Sequence, residues 1–567
     1  MTLAQLASLA MIRGDLAEES VFHRAAALAR AYHIDSDAET APLLANPPAD
    51  ADPDVLKRLR QMYEAGGWVL IESALADLPS DLRWLYESGA VTIDQLDAIH
   101  RALGATSASD LAWAINEQKI RGLPGLDAEA EAAIAAALPT LRATIPRVPL
   151  GRAVSTAEPV LERLRAVPGV VWAQPIGSLR RGQDTIGDIE IVAATSRPAD
   201  AIAELLRDPE FSRVLHNTPE RLYVLTDRMQ IGVRLPKPEN AGASLLYLTG
   251  PPAHFEALQA HAVASGFRLS AEGLHGPDGI LRPAADEDAI YGALGLPFIP
   301  PEIRDGAEEI VVAKRGELPR LVTRADIRGD LHMHTLWSDG RDSTEVMVQA
   351  CAALGYEYLA ITDHSQGSAA IRNLTADGVK RQADEIAALR ERYPQVAILH
   401  GCEVDILPDG RLDFNDRILE QFDIVLASLH EPAAQPRDQL LKRYVSAMQH
   451  PLVSVLTHPS NRLVPHRRGY DIDYDRLFAL AVEFQTAVEI DGAPSHLDLD
   501  GALARRAIAA GATVVIDSDC HRAEMLALQM QLGITTARRG WVEPRHVLNA
   551  RPIDEVRAFI AAKRGAR

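Results

Sequence analysis

The segment Gly329-Asp330-Leu331-His332-Met333-His334-Thr335-Leu336-Trp337-Ser338-Asp339-Gly340 carries two histidines two positions apart, with an aspartate on the loop that follows. In an extended strand the side chains at i and i+2 point the same way, so His332 and His334 can grip one metal ion. Downstream the chain repeats one rhythm of apolar strand, polar tip and amphipathic helix. Tyr358–Thr362, Val396–His400, Ile424–Ser428, Val453–Leu456, Ala487–Ile490 and Thr513–Ile516 read as strands. Repeated βα units predict a parallel sheet closed as a barrel, with chemistry at the C-terminal strand ends.

Those ends carry the donors. His364, Glu403, His430 and His458 each follow a strand, and Asp519 and His521 close the series, again two apart. A lone strand-end histidine is more often structural than ligating. Nine N and O donors, counting His332, His334 and Asp339, at one topological position make a metal centre the better reading. Three divalent cations would take about three donors each and leave bridging positions for water and phosphate oxygens. With no cysteine in the set, Mn, Zn or Fe in a His/carboxylate shell fits better than a structural zinc site.

The whole chain of 567 residues is long enough for roughly four domains at about 150 residues each. Its 47% apolar and 24% charged residues exclude a mainly disordered chain. A net charge of -20 excludes a broad polycationic face, so nucleic acid must be held locally. Cys351, Cys402 and Cys520 are too few to staple a secreted scaffold, and a reducing cytoplasm is expected. The first thirteen residues lack a basic lead-in, and no run approaches the ~18–20 apolar residues of a membrane span.

Upstream of the barrel, Thr2 to about Ala137 reads as short amphipathic helices, strands begin near Gly169, and Pro297–Pro301 reads as an extended connection. Within the central part, Gly177-Ser178-Leu179-Arg180-Arg181-Gly182 can offer backbone N–H groups, a hydroxyl and a guanidinium to phosphate. Asp188 and Glu190 alternate on one strand face and can bind Mg or Mn together.

Two resemblances follow. Gly329–Gly340, Thr362-Asp363-His364-Ser365, Glu403-Val404-Asp405-Ile406, Ser428-Leu429-His430, Thr457-His458-Pro459 and Asp517–His521 resemble the polymerase and histidinol phosphatase (PHP) domain, with all nine family ligand positions filled. His400, Asp405, His450, His466 and His496 fall outside those positions and are expected at the surface or behind the ligands. The Gly177–Glu190 region, together with Tyr247-Leu248-Thr249-Gly250 and Leu294–Glu302, resembles the nucleotidyltransferase palm and thumb of family X DNA polymerases. As a whole the chain resembles a bacterial family X DNA polymerase with a C-terminal PHP domain.

The resemblance implies a multidomain α/β protein. Its expected parts are a helical domain over 1–80, fingers-like helices with helix-hairpin-helix units over 81–145, a palm over 146–240, a thumb over 241–305, a linker over 306–327 and a distorted (β/α) PHP barrel over 328–567. It implies Asp188 and Glu190 as catalytic metal ligands of Mg or Mn, and Gly177, Ser178, Arg181, Tyr247, Thr249 and Gly250 as nucleotide contacts. His332, His334, Asp339, His364, Glu403, His430, His458, Asp519 and His521 would hold three Mn or Zn ions. Expected partners are gapped, nicked or 3′-recessed DNA and deoxynucleoside triphosphates, with no membrane and a monomeric chain. Arg462, Arg467 and Arg468 form a basic loop that could touch the DNA backbone.

The sequence departs from the family in places. The family's third palm carboxylate sits where Gln230-Ile231-Gly232-Val233-Arg234 has Gly232, and the second is Glu190 instead of Asp. Arg58 stands at the family's lyase lysine, with Lys57 beside it; arginine cannot supply a neutral amine, so lyase chemistry is not expected. The expected function is Mn-dependent 3′-5′ exonuclease and 3′-end processing of DNA, with weakened gap-filling synthesis. The rivals are a competent gap-filling polymerase that recruits Asp184 or Glu239, a DNA-end scaffold with a degenerate polymerase core, and a small-molecule phosphoesterase.

Overall fold

The computed structural model describes residues 2–34, 37–65, 67–144, 147–211, 213–226, 229–368, 373–430 and 435–565. They divide into two compact units: Met1–Arg147, Thr156–Gly177 and Gly187–Leu294 form one; Val148–Ser155, Ser178–Ile186 and Gly295–Arg567 form the other.

The first unit begins with helices. Ser80–Glu87 and Ile93–Leu103 form a helical hairpin whose turn holds Gly89 at φ 77°, a left-handed geometry that glycine adopts at little cost. Ser107 and Asp110 form a capping box that starts α1 (Ala108–Asn116). The sheet of this unit has β1 (Val170–Pro175), β2 (Ile189–Thr195), β3 (Arg213–Thr218), β4 (Arg221–Thr226) and β5 (Met229–Arg234) in the order β1-β2-β5-β4-β3. Only the central β2–β5 pair is parallel. Every residue of β2 is buried, Glu190 included, and the apolar run Ile191–Ala194 is what an inner strand requires.

In the second unit β6 (Gly329–Asp330), β7 (Tyr358–Ile361), β8 (Ala397–Asp405), β9 (Ile424–Ser428), β10 (Val453–Leu456), β11 (Ala487–Asp491) and β12 (Val514–Asp517) form one parallel sheet in chain order. A bridge between Met333 and Cys520, with the His334 N–H donating to the Cys520 carbonyl at 2.9 Å, nearly closes it into a barrel. Buried runs in β7, β9, β10, β11 and β12 are what a parallel sheet covered by helices requires. Ser343, Thr375, Asn415, Asp473 and Asp500 cap the helices that follow the strands.

The expected domain boundaries differ from this division. Residues 306–327, read as a linker, belong to the barrel unit: Val322 is buried and its N–H donates to the Val542 carbonyl at 2.9 Å. Ser178–Ile186, read as part of the palm, also folds with the barrel unit, where Asp184 accepts hydrogen bonds from Arg462 (2.7 Å) and Arg539. Charge pairing there outweighs sequence proximity to the central sheet.

Candidate functional site

The strand ends of the barrel converge on Glu403. Its Oε2 lies 2.9 Å from His364 Nδ1, 3.4 Å from His332 Nε2 and 3.5 Å from His334 Nε2. Its Oε1 lies 2.8 Å from His458 Nε2 and 3.2 Å from His430 Nε2. Asp519 stands 3.0 Å from His334 Nε2, and Asp339 stands 3.3 Å from His521 Nε2 and 3.6 Å from His364 Nε2. All nine donors expected from the sequence therefore meet in one place.

Eight of the nine sort into overlapping groups: His332, His334 and Asp519; His334, Asp339, His364 and His521; His364, Glu403 and His430; His458 stands outside these groups, against Glu403. His334 and His364 each belong to two groups, so adjacent cations could share a neighbourhood. The donors also fit cations by what they lack. Glu403 Oε2 and His364 Nδ1, though 2.9 Å apart, are not aligned for a hydrogen bond, and with His458 Nδ1 they are buried without a hydrogen-bond partner among the described residues, a costly state unless another partner takes them. Burial opposes ionisation of Glu403, yet His364, His430 and His332 outweigh it and hold the carboxyl well below the usual range.

Strain marks the same place. His458 and Asp519 have φ of 27° and 49°, left-handed values unusual for residues with a Cβ. Such conformations persist where the surroundings over-determine them, commonly at functional sites.

A layer of acids and amides behind these donors aims them. Glu489, on β11, meets His332 Nδ1 at 2.6 Å and accepts the His458 backbone N–H at 2.7 Å. A donor hydrogen on Nδ1 leaves Nε2 of His332 for a metal. Asp405 does the same for His430 Nδ1, so this residue, set aside in the sequence, stands directly behind a ligand. Asp363 accepts from the backbone of Thr335 (2.8 Å) and Ser338 (3.0 Å) and from Gln382 (2.7 Å), and fixes the loop that bears Asp339. His400 sits behind Gln382 at 3.0 Å. The ring of His496 lies 5.3 Å from that of His458. Sequence reading missed Glu489 and assigned no role to Asp363; the one available signal for Glu489 was a carboxylate inside the apolar run Ala487–Asp491.

The basic loop is a correction. Arg462 turns inward: its Nε donates to the His496 and Leu497 carbonyls at 3.0 Å and its Nη1 to Asp184. Arg467 closes on Asn461, donating to its carbonyl (3.0 Å) and its side-chain oxygen (2.6 Å). Of the three, Arg468 alone is exposed, because unpaired backbone carbonyls in a tight loop claim the other guanidiniums.

In the first unit, Glu190 lies opposite Gly232 on the β2–β5 ladder, with Asp188 just before β2. The Tyr223 hydroxyl donates to Glu190 Oε1 at 3.0 Å, and Arg234 Nε stands 3.6 Å from Oε2. As placed, these residues do not fit the expected pair of Mg or Mn ions. Neither alternative carboxylate repairs the set: Asp184 is paired with Arg462 and Arg539, and Glu239 lies exposed on the turn Pro238–Asn240. Of the expected nucleotide contacts, Gly177, Tyr247, Thr249 and Gly250 fall in this unit, and Ser178 and Arg181 in the other. Lys57 is exposed on the helix Pro53–Ala65, while Arg58 is paired with Glu18.

Comparison with known proteins gives two family matches, the DNA polymerase beta thumb over residues 244–305 and the PHP domain over residues 330–492. The chain is 35% identical over 506 residues to the DNA polymerase/3′-5′ exonuclease PolX of Bacillus subtilis (strain 168), covering 88% of each chain. It is 28% identical over 204 residues to a probable phosphatase of Thermoanaerobacter sp. (strain X514), covering 34% of this chain and 78% of that one. A solved Leishmania infantum polymerase beta ternary P/T complex aligns with 40% of this chain and 98% of its own at 15% identity; its TM-score of 0.27 is too low to carry an argument.

Proposed function

Because the chain belongs to the bacterial family X DNA polymerases that carry a PHP domain, we propose that its barrel performs divalent-metal-dependent 3′-5′ exonucleolytic processing of DNA ends. The observation that carries this reading is the convergence of five imidazoles, from His332, His334, His364, His430 and His458, on the single carboxylate of Glu403. Three cations fit the overlapping donor groups, with Mn or Zn the metals suited to this shell. Bound there, divalent ions supply Lewis acidity toward a water nucleophile and toward the oxygens of the phosphoester.

The chain's own residues do the positioning. Glu489 and Asp405 present the metal-facing nitrogens of His332 and His430, and Asp363 holds the loop carrying Asp339 at the mouth. Asp339 and His521 are the more open donors, at 25% and 35% side-chain exposure, and mark the side from which substrate enters.

DNA with a recessed or gapped 3′ end is the proposed substrate, bound by a monomer. Exposed Arg468 on the barrel unit suits backbone contact. Among the described residues no helix is long and apolar enough to cross a membrane, and three buried free cysteines suit a reducing cytoplasm as the proposed compartment. The deciding experiment compares Mn2+-dependent turnover of a 3′-recessed duplex with that of small phosphate monoesters. Preference for the duplex, lost on chelation, is expected; preference for the monoester would replace this reading with a small-molecule phosphatase.

A further inference from the structure

The central sheet of the first unit already holds a cation of its own. We propose that the palm of this chain takes no catalytic metal pair: the guanidinium of Arg234 is its fixed positive charge, and the protein breaks phosphodiester bonds without making them.

Strand register explains the arrangement. Gly232 on β5 lies opposite Glu190 on β2 and, across its other edge, opposite Tyr223 on β4. With no side chain on Gly232, the Tyr223 ring occupies that space: a Cβ built there would come within 2.6 Å of ring carbon Cε1. The phenol thus fills the place of the missing carboxylate and carries no charge to hold a metal. Its hydroxyl donates to Glu190 Oε1 at 3.0 Å and accepts from Arg234 Nη2 at 2.9 Å, which uses its donor and an acceptor site.

Arg234 completes the network toward α1, donating to Asp110 Oδ1 and Ser107 Oγ, both at 2.8 Å. Tyr223, Arg234 and Glu190 are 0%, 6% and 8% exposed, so these contacts lie in a low-dielectric interior. A divalent ion held by Glu190 would have to sit beside the Arg234 guanidinium, which Asp110 and Ser107 keep in place, and two cations that close repel each other strongly in that interior.

The test uses the full chain with the barrel silenced by His332→Ala and His334→Ala, so that new product is not degraded. On a primed template with deoxynucleoside triphosphates and Mg2+ or Mn2+, no extension is expected, and equilibrium dialysis should show no nucleotide-dependent Mn2+ uptake. Glu190→Gln and Tyr223→Phe should each lower the melting temperature equally in EDTA and in Mn2+, as members of a structural lock and not as metal ligands. Extension, or nucleotide-dependent Mn2+ uptake that Glu190→Gln abolishes, would overturn the proposal, as would melting temperatures that neither variant shifts. End degradation by the unaltered chain, measured in parallel, judges the barrel separately.

Discussion

The ring of Tyr223 crowds Gly232, with Cε1, Cδ1 and Cζ at 2.6, 3.0 and 3.2 Å from where a Cβ would stand. The glycine is therefore required by a neighbour across the sheet, and restoring the family's acid at this position meets a wall of aromatic carbon.

Gly232→Asp should accordingly destabilise the first unit by about 2–3 kcal/mol, through overpacking and a buried unpaired carboxylate, and should not by itself restore primer extension. Combining it with Tyr223→Ala should cost less than the sum of the two single changes, because the second removes the clash created by the first. Urea denaturation of the four proteins checks this; strict additivity would mean the two side chains do not compete for space.

Replacing His332 and His334 together by Ala removes two donors from the group completed by Asp519. Bound metal should drop and Mn2+-dependent end degradation should fall to background, as metal analysis and a labelled 3′-recessed duplex will show. Undiminished degradation by a pure preparation would remove the barrel as the nuclease centre.

Glu489→Ala tests a residue that touches no metal in this arrangement but sets His332 from behind. Loss of such a partner typically weakens metal affinity 10–100-fold. Titration with a competing chelator should detect that loss, and an unchanged affinity would reduce Glu489 to a packing role.

His216 gives the first unit a pH dependence. Burial, the largest influence, pushes its pKa down to about 4, against the Ile12 carbonyl met by Nδ1 at 2.8 Å. A base depressed on folding contributes stability that is intact above the unfolded value near 6.5 and is lost as pH falls from there toward 4. Between pH 7 and 5 the loss from this group is about 2 kcal/mol. His216→Asn, which keeps a donor and cannot charge, should flatten denaturation midpoints over that interval; an equally steep decline in the variant would assign the acid sensitivity elsewhere.

The two ends of the basic loop should behave differently. Arg468→Ala is expected to reduce the slope of log affinity for DNA against log salt by about one, the signature of a phosphate contact. Arg462→Ala should leave that slope alone and lower stability by about 1–3 kcal/mol, since it strands the His496 and Leu497 carbonyls. Equal effects on the slope would return Arg462 to the DNA surface.

The nine candidate donors were legible because their signals are local. Histidines at i and i+2 on a strand and one donor after each apolar run depend only on backbone period and chain order, and chain order is also the order of the barrel strands. Glu489 carried no comparable signal, as its partner His332 is 157 positions away. The same limit hid the fate of Arg462, whose neighbours on the chain suggested an exposed basic loop while its hydrogen-bond partners lie 34 to 278 positions off.

By itself, then, the sequence determined the βα barrel, the nine donors and the absence of an acid at position 232. Which groups would surround that glycine was decided only by the tertiary structure. In the first unit β2 pairs with β5 and not with the strand that follows it in the chain, so Glu190 meets Gly232 by sheet register and not by spacing, while Tyr223 faces Gly232 across the β4–β5 hairpin. Once the register was set, the buried Glu190 and Tyr223 needed partners away from water, and Arg234 was the donor within reach.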